Sequence, residues 1–177
     1  MAAREVVEVL NRCESALETR NLDLSHCGLA YIAQAVYHIV KEVELATCNI
    51  SNNDIKKIPV KFSREFPKIT ELNLSHNKIV SLPTEFNELS ELVHADLSHN
   101  QLVEFPEGMY ELANLKKLVL CSNNIVDIDV ERLCNLQLEE LDVTDNPLSS
   151  ETWGKLEKVT TINVKMDPLK DNLNEMD

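Results

Sequence analysis

Ile69-Thr70-Glu71-Leu72-Asn73-Leu74-Ser75-His76-Asn77-Lys78-Ile79 is the stretch that decides how this chain folds. Its skeleton, I-x-x-L-x-L-x-x-N-x-I, returns as Leu92-x-x-Ala95-x-Leu97-x-x-Asn100-x-Leu102. It returns again as Leu115-x-x-Leu118-x-Leu120-x-x-Asn123-x-Ile125 and as Leu138-x-x-Leu141-x-Val143-x-x-Asn146-x-Leu148. From Asn77 to Asn146 the asparagines stand 23 residues apart. Two weaker copies lie upstream. Leu45-x-x-Cys48-x-Ile50-x-x-Asn53-x-Ile55 precedes the quoted stretch by 24 residues, and Leu22-x-Leu24-x-x-Cys27-x-Leu29 comes 26 residues before that. Downstream, Val159-x-x-Ile162-x-Val164 reads as a seventh strand without the asparagine. Self-similarity at a constant period of roughly 20–50 residues marks stacked units that share one core.

Each part of the unit has a physical role. The L-x-L segment is a short strand, so its side chains alternate. Leu72 and Leu74 point inward, and Glu71, Asn73 and Ser75 are expected to face solvent. The asparagine turns the chain, because its amide can pair with backbone groups that a tight bend leaves unsatisfied. Cys27, Asn53, Asn77, Asn100, Asn123 and Asn146 form this predicted structural turn ladder. The back half of each unit adds one apolar residue: Ile32, Ile58, Leu82, Phe105 and Ile128. Pro59, Pro83 and Pro106 follow three of these and steer the chain around the convex side. The fold expected is an α/β solenoid with a short, curved parallel sheet.

Such a stack needs caps. Val6, Val7, Leu10, Cys13 and Leu17 recur at helical spacing, so residues 1–18 are expected to form an amphipathic N-terminal capping helix. Residues 19–158 hold six repeats, and 159–177 a closing strand and a polar tail starting at Asp167-Pro168. Tyr31 to Val40 reads as a convex-side helix, and Leu133 to Leu136 as a short helical turn.

Composition narrows the function. The net charge of −13 repels nucleic acid phosphates and anionic lipid heads, so neither partner is expected and a basic protein is favoured. No apolar run approaches the roughly 20 residues that span a bilayer. The first turns carry Glu5, Glu8 and Glu14 and do not resemble a signal peptide. The expected compartment is the cytoplasm, with the nucleus also open. Cys13, Cys27, Cys48, Cys121 and Cys134 are odd in number and include no C-x-x-C pair, so reduced thiols are the default.

The solvent-facing strand positions can be read by register. A central column runs Asp23, Asn49, Asn73, Asp96, Val119, Asp142, Asn163. One flank runs Asn21, Thr47, Glu71, His94, Lys117, Glu140, Thr161, and the other Ser25, Ser51, Ser75, Ser98, Cys121, Thr144, Lys165. A rigid, curved polar sheet suits a protein partner. The residues expected to bind it are Asp23, Asn49, Glu71, Asn73, His94, Asp96, Lys117, Val119, Glu140, Asp142 and Asn163. This face carries no aromatic or arginine, the usual interface hot spots. The competing surface is the convex side with Tyr31, Tyr37, Phe62, Phe86, Met109 and Tyr110, most of which are expected to be packing residues.

Catalysis and metal binding find no support. His76 and His99 share one repeat position and are expected to approach each other, but zinc wants four converging ligands. Neither a nucleophile–base pair in a cleft nor a phosphate-binding glycine motif is present. No catalytic residue, metal or cofactor is expected. Cys48 reads as core, and Cys121 as the one solvent-facing, reactive thiol.

The L-x-x-L-x-L-x-x-N-x-L units resemble the leucine-rich repeat superfamily. Ile79-Val80-Ser81-Leu82-Pro83 and Leu102-Val103-Glu104-Phe105-Pro106 are similar to the short intracellular type found in Ras-suppressor and scaffold proteins. The resemblance covers nearly the whole chain. It implies a protein-interaction module, and with the polar strand face the expected function is a non-catalytic, monomeric interaction module or small adaptor that uses the concave sheet. Two alternatives stay open. Size and acidity are shared with acidic nuclear leucine-rich phosphoproteins that engage histones, although their long acidic tail is absent from Asp167-Pro168-Leu169-Lys170-Asp171-Asn172-Leu173-Asn174-Glu175-Met176-Asp177. The other is a structural component that docks by its convex face.

Overall fold

Every unit contributes three residues to one sheet. The computed structural model describes residues 3–169, with helix α1 (Ala3–Thr19) followed by strands β1 (Asn21–Asp23), β2 (Thr47–Asn49) and β3 (Glu71–Asn73). Strands β4 (His94–Asp96), β5 (Lys117–Val119), β6 (Glu140–Asp142) and β7 (Asn163–Lys165) complete it. All seven pair in parallel and in chain order. Between strands the chain crosses the convex side through α2 (Gln34–Val40), α3 (Lys61–Glu65), two 3-10 segments at Thr84–Glu88 and Glu107–Glu111, α4 (Val130–Leu133) and α5 (Ser150–Leu156). This is the α/β solenoid that the period predicts. The expected polar tail after Leu169 lies outside the described residues.

The inward positions form a continuous core. Leu22, Cys48, Leu72, Ala95, Leu118 and Leu141 lie side by side and are buried, as are Leu97 and Leu120 two residues further on in their units. Cys48 is core, as its inward position predicts, and burial holds its thiol protonated. The asparagines tie unit to unit. Asn77 Nδ2 donates to Leu74 O in its own turn and to Ile50 O one unit back, while its Oδ1 accepts from Ile55 N. Asn53, Asn100, Asn123 and Asn146 repeat the pattern. The residue before each ladder position, from His26 through Asn52, His76, His99 and Ser122 to Asp145, has a positive φ. Asparagine, aspartate and histidine tolerate that conformation better than most residues.

The convex side is packed closely at one glycine. A Cβ on Gly108 would stand 2.5 Å from Thr84 O and 2.9 Å from Asn87 N, both backbone atoms of the preceding 3-10 segment. Those neighbours cannot move without shifting a whole unit. Gly108→Ala is therefore expected to destabilise by about 2 kcal/mol, read as a lower urea midpoint. An unchanged midpoint would contradict this packing.

Several expectations need correction. The N-terminal helix buries Val9, Cys13 and Ala16, whereas Val6, Val7, Leu10 and Leu17 are exposed. Alanine at position 16 permits close approach to the first unit, which turns the helix away from its larger side chains. Arg12 on its margin fastens it to β1, donating to Asp23 O and Ser25 O. The second helical turn lies at Val130–Leu133, before Leu133–Leu136, because Asp129 caps it by accepting from Arg132 N. Strand β7 is shifted by two residues. Val164, not Ile162, pairs with Leu141, which preserves the 23-residue period through Leu118, Leu141 and Val164. Asn163 thus lies beside Glu140 and not Asp142, and Lys165 enters the central column. Tyr31 is exposed, unlike the buried Tyr37, Phe62, Phe86 and Met109.

Candidate protein-binding surface

The concave sheet is the surface to which the solvent-facing strand positions belong. Its first column, Asn21, Thr47, Glu71, His94, Lys117, Glu140 and Asn163, is aligned by strand register. Asn21, Glu71, His94, Lys117 and Asn163 in that column are exposed. The central column, Asp23, Asn49, Asn73, Asp96, Val119 and Asp142, is half-exposed apart from the more open Asp23. Thr161 lies before β7 and outside these columns.

The central column has a structural duty that its position alone does not reveal. Asp23, Asn49, Asn73, Asp96 and Asp142 each accept, through Oδ1, the backbone N–H two residues on. Ser75, Ser98 and Thr144 also donate their hydroxyls to the same oxygen, at 2.7, 2.6 and 2.7 Å. Ser51, Ser75 and Ser98 are consequently buried, which corrects the expectation that this flank faces solvent. A polar residue there satisfies the bend that leads into the ladder. Val119 and Cys121 interrupt the series, since valine carries no acceptor.

The charges do not spread evenly. Glu140 Oε1 lies 2.6 Å from Lys165 Nζ and 3.2 Å from Lys117 Nζ. The Lys165 and Lys117 hydrogen bonds hold the Glu140 carboxyl below the usual range. Asp23 Oδ1 faces Arg12 Nη1 at 3.6 Å. Asp96 and Asp142 keep one oxygen in the turn bonds just described. Glu71 is exposed and has no side-chain partner among the described residues. A shallow depression of about 340 Å³ lies over β2–β5, opened by the short side chains of Thr47, Asn49 and Asn73.

The histidines and thiols are placed otherwise than a reactive site requires. His76 and His99 stack with ring centroids 4.1 Å apart, as their shared repeat position predicts. Among the described residues no three His, Cys, Asp or Glu side chains are grouped to hold a metal ion. Cys121 is half-buried, and its thiol is pushed up by burial and by Asp142, with a Ser98 contact opposing the shift. The exposed cysteine is Cys134, on the convex side after α4, which corrects the expectation for Cys121. No signal in the repeat marks it, because position 134 belongs to the irregular back half.

A seven-stranded parallel sheet on an asparagine ladder defines the class: the chain is a solenoid of leucine-rich repeats, a fold that generally binds proteins through its concave face. Residues 44–102 and 114–136 match two leucine-rich repeat families. The chain is 34% identical over 92 residues to human (Homo sapiens) leucine-rich repeat-containing protein 20, covering 51% of this chain and 49% of that protein. The Mus musculus counterpart is 34% identical over 94 residues, with 52% and 48% covered. The chain thus spans about half the length of the curated relatives it matches. Among solved structures, a leucine-rich repeat protein of Leptospira interrogans is similar at 27% identity and a TM-score of 0.65, over 76% of this chain and 34% of that one. An internalin of Listeria monocytogenes shares the fold at 22% identity and a TM-score of 0.66, over 89% and 46%. No helix among the described residues is long and apolar enough to cross a membrane.

Proposed function

We propose that this protein is a small monomeric adaptor that holds one protein partner against its concave sheet. The observation that carries the reading is the exposed column of Glu71, His94 and Lys117, held in register by β3, β4 and β5. Strand-borne side chains are pre-organised, so a partner spends little ordering entropy on them. The partner is a protein with basic character, in keeping with the net charge of −13. The protein works in the cytoplasm or nucleus, where the buried thiols of Cys13 and Cys48 stay reduced.

Site-specific photo-crosslinking in cells tests which face is used. A photoreactive residue at His94 on the sheet is compared with one at Tyr31 and one at Val103, which are 64% and 53% exposed away from it. A discrete covalent adduct is expected from position 94 alone. Adducts from 31 or 103 with none from 94 would move the function off the sheet.

A further inference from the structure

We propose that the depression over β2–β5 is a receptor for an arginine side chain of the partner protein, seated between Glu71 and Asp96 with its aliphatic stem against Val119. This rests on the concave-face reading above and names the chemistry that the face recognises.

The charge balance of the face is the first argument. Lys117 lines the depression, but its ammonium is bound to Glu140 on β6, which also holds Lys165. Glu140 neighbours Lys117 on the side opposite His94, so the lysine reaches away from Glu71. Two carboxylates then remain uncompensated. Glu71 has no side-chain partner among the described residues, and Asp96 uses only Oδ1, for Ser98 N at 2.9 Å and Ser98 Oγ at 2.6 Å. That bonding fixes the Asp96 carboxylate and leaves Oδ2 for a guest. Glu71 and Asp96 lie on adjacent strands and in adjacent columns, since Glu71 pairs with His94 and Asn73 with Asp96. A planar guanidinium presents several donors at fixed angles and can address both, whereas a lysine offers a single point charge.

Val119 supplies the second argument. It stands next to Asp96 in the central column, where every neighbouring strand from β1 to β6 carries Asp or Asn. Giving up the acceptor costs the local turn a hydrogen bond that the other units keep. What the exchange provides is a half-exposed apolar spot one strand from Asp96 and two from Glu71. Arginine stems pack on such spots while the charged head stays polar. His94 and Lys117 also line the depression, His94 lying between Glu71 and Lys117 in the first column, and the buried Cys48 forms part of its floor.

Selection of random 12-residue peptides displayed on phage, with the full chain as bait, tests the assignment. Selected peptides are synthesised and titrated against wild type, Glu71→Gln and Thr47→Arg. Glu71→Gln removes one charge from an exposed side chain. Thr47→Arg sets a resident guanidinium beside Glu71, its strand partner. The expected result is a family of peptides with one invariant arginine, a loss of about tenfold in affinity with Glu71→Gln, and further weakening with Thr47→Arg and with added salt. Peptides that lack a fixed basic position yet lose affinity with Thr47→Arg would overturn the arginine assignment and leave the concave-face reading standing. Peptides indifferent to both variants would overturn both.

Discussion

Asn100→Ala is expected to lower the unfolding free energy by about 3 kcal/mol, from one uncharged side chain. The Asn100 amide is buried at 8% exposure and has four protein partners. Nδ2 donates to Leu74 O at 3.0 Å, Leu97 O at 3.1 Å and Ser98 O at 3.2 Å, and Oδ1 accepts from Ile79 N at 3.0 Å. Alanine leaves an N–H of one unit and carbonyls of two units without partners, in a place water does not readily reach. Each buried orphan costs about 1–3 kcal/mol, and some relaxation offsets the sum. Chemical denaturation at neutral pH reads this directly, and a loss below about 1 kcal/mol would contradict the bridging role.

Asn100→Asp sharpens the same test. The carboxylate has the shape of the amide but turns the donating end into a second acceptor facing the same carbonyls. Ionisation is opposed there, so the folded-state pKa of the introduced group rises above its unfolded value of about 4. The folded protein then binds that proton more tightly than the unfolded chain. The compensation is fully present below pH of about 4 and is lost as pH rises through the folded pKa. Asn100→Asp is thus expected to be less stable than Asn100→Ala at pH 7, with its deficit relative to wild type shrinking toward pH 4. A deficit that does not change with pH would show that the ladder amides are not enclosed.

What the chain reveals before folding depends on how strictly a position is repeated. Leu72, Leu97, Leu118 and Asn77 recur because stacking forces identical surroundings on each unit, so period alone places them. The final strand shows the limit of pattern matching. Val159-x-x-Ile162-x-Val164 imitates the strand signature, yet the constant 23-residue advance carries β7 two positions further, to Asn163–Lys165. Non-repeating contacts are not legible at all. Trp153 Nε1 donates to Asp167 O, fastening the chain after β7 to α5, and no motif foretells it. For α1, helical spacing identifies an amphipathic helix but not which side is closest to the first unit, and there Val9, Cys13 and Ala16 prevail over Val6 and Leu10. The candidate site was legible as a set of columns. The engagement of Asp96 and Asp142 in turns was not, since an aspartate on an exposed strand position looks like surface charge until its oxygen is seen on the next bend. Charge reversal at those two positions would confuse lost binding with lost folding, and Glu71 is free of that difficulty.

The other large effect belongs to the convex side. Phe62→Ala is expected to cost about 4 kcal/mol, more than a typical leucine truncation in the strands. Phe62 on α3 is fully buried, edge-on to Phe66 with centroids 5.3 Å apart and stacked on Phe86 of the next unit at 5.9 Å. Phe66 stacks in turn on Tyr37 of α2 at 5.4 Å. The rings therefore form one aromatic file across three successive back halves, and Met109 continues it as the buried residue 23 positions after Phe86. These back halves differ in length and helix type, from α2 to the 3-10 segments, so they lack the hydrogen-bonded register that unites the strands. Side-chain bonds such as Ser63 Oγ to Glu88 Oε2 link them near the surface, while ring packing joins them in the core, and an alanine at the middle of the file opens a void between two units at once. Phe62→Leu refills part of that volume and is expected to recover more than half of the loss. Equal, small losses for both variants, under about 1.5 kcal/mol, would mean that the convex segments hold together without the aromatic file.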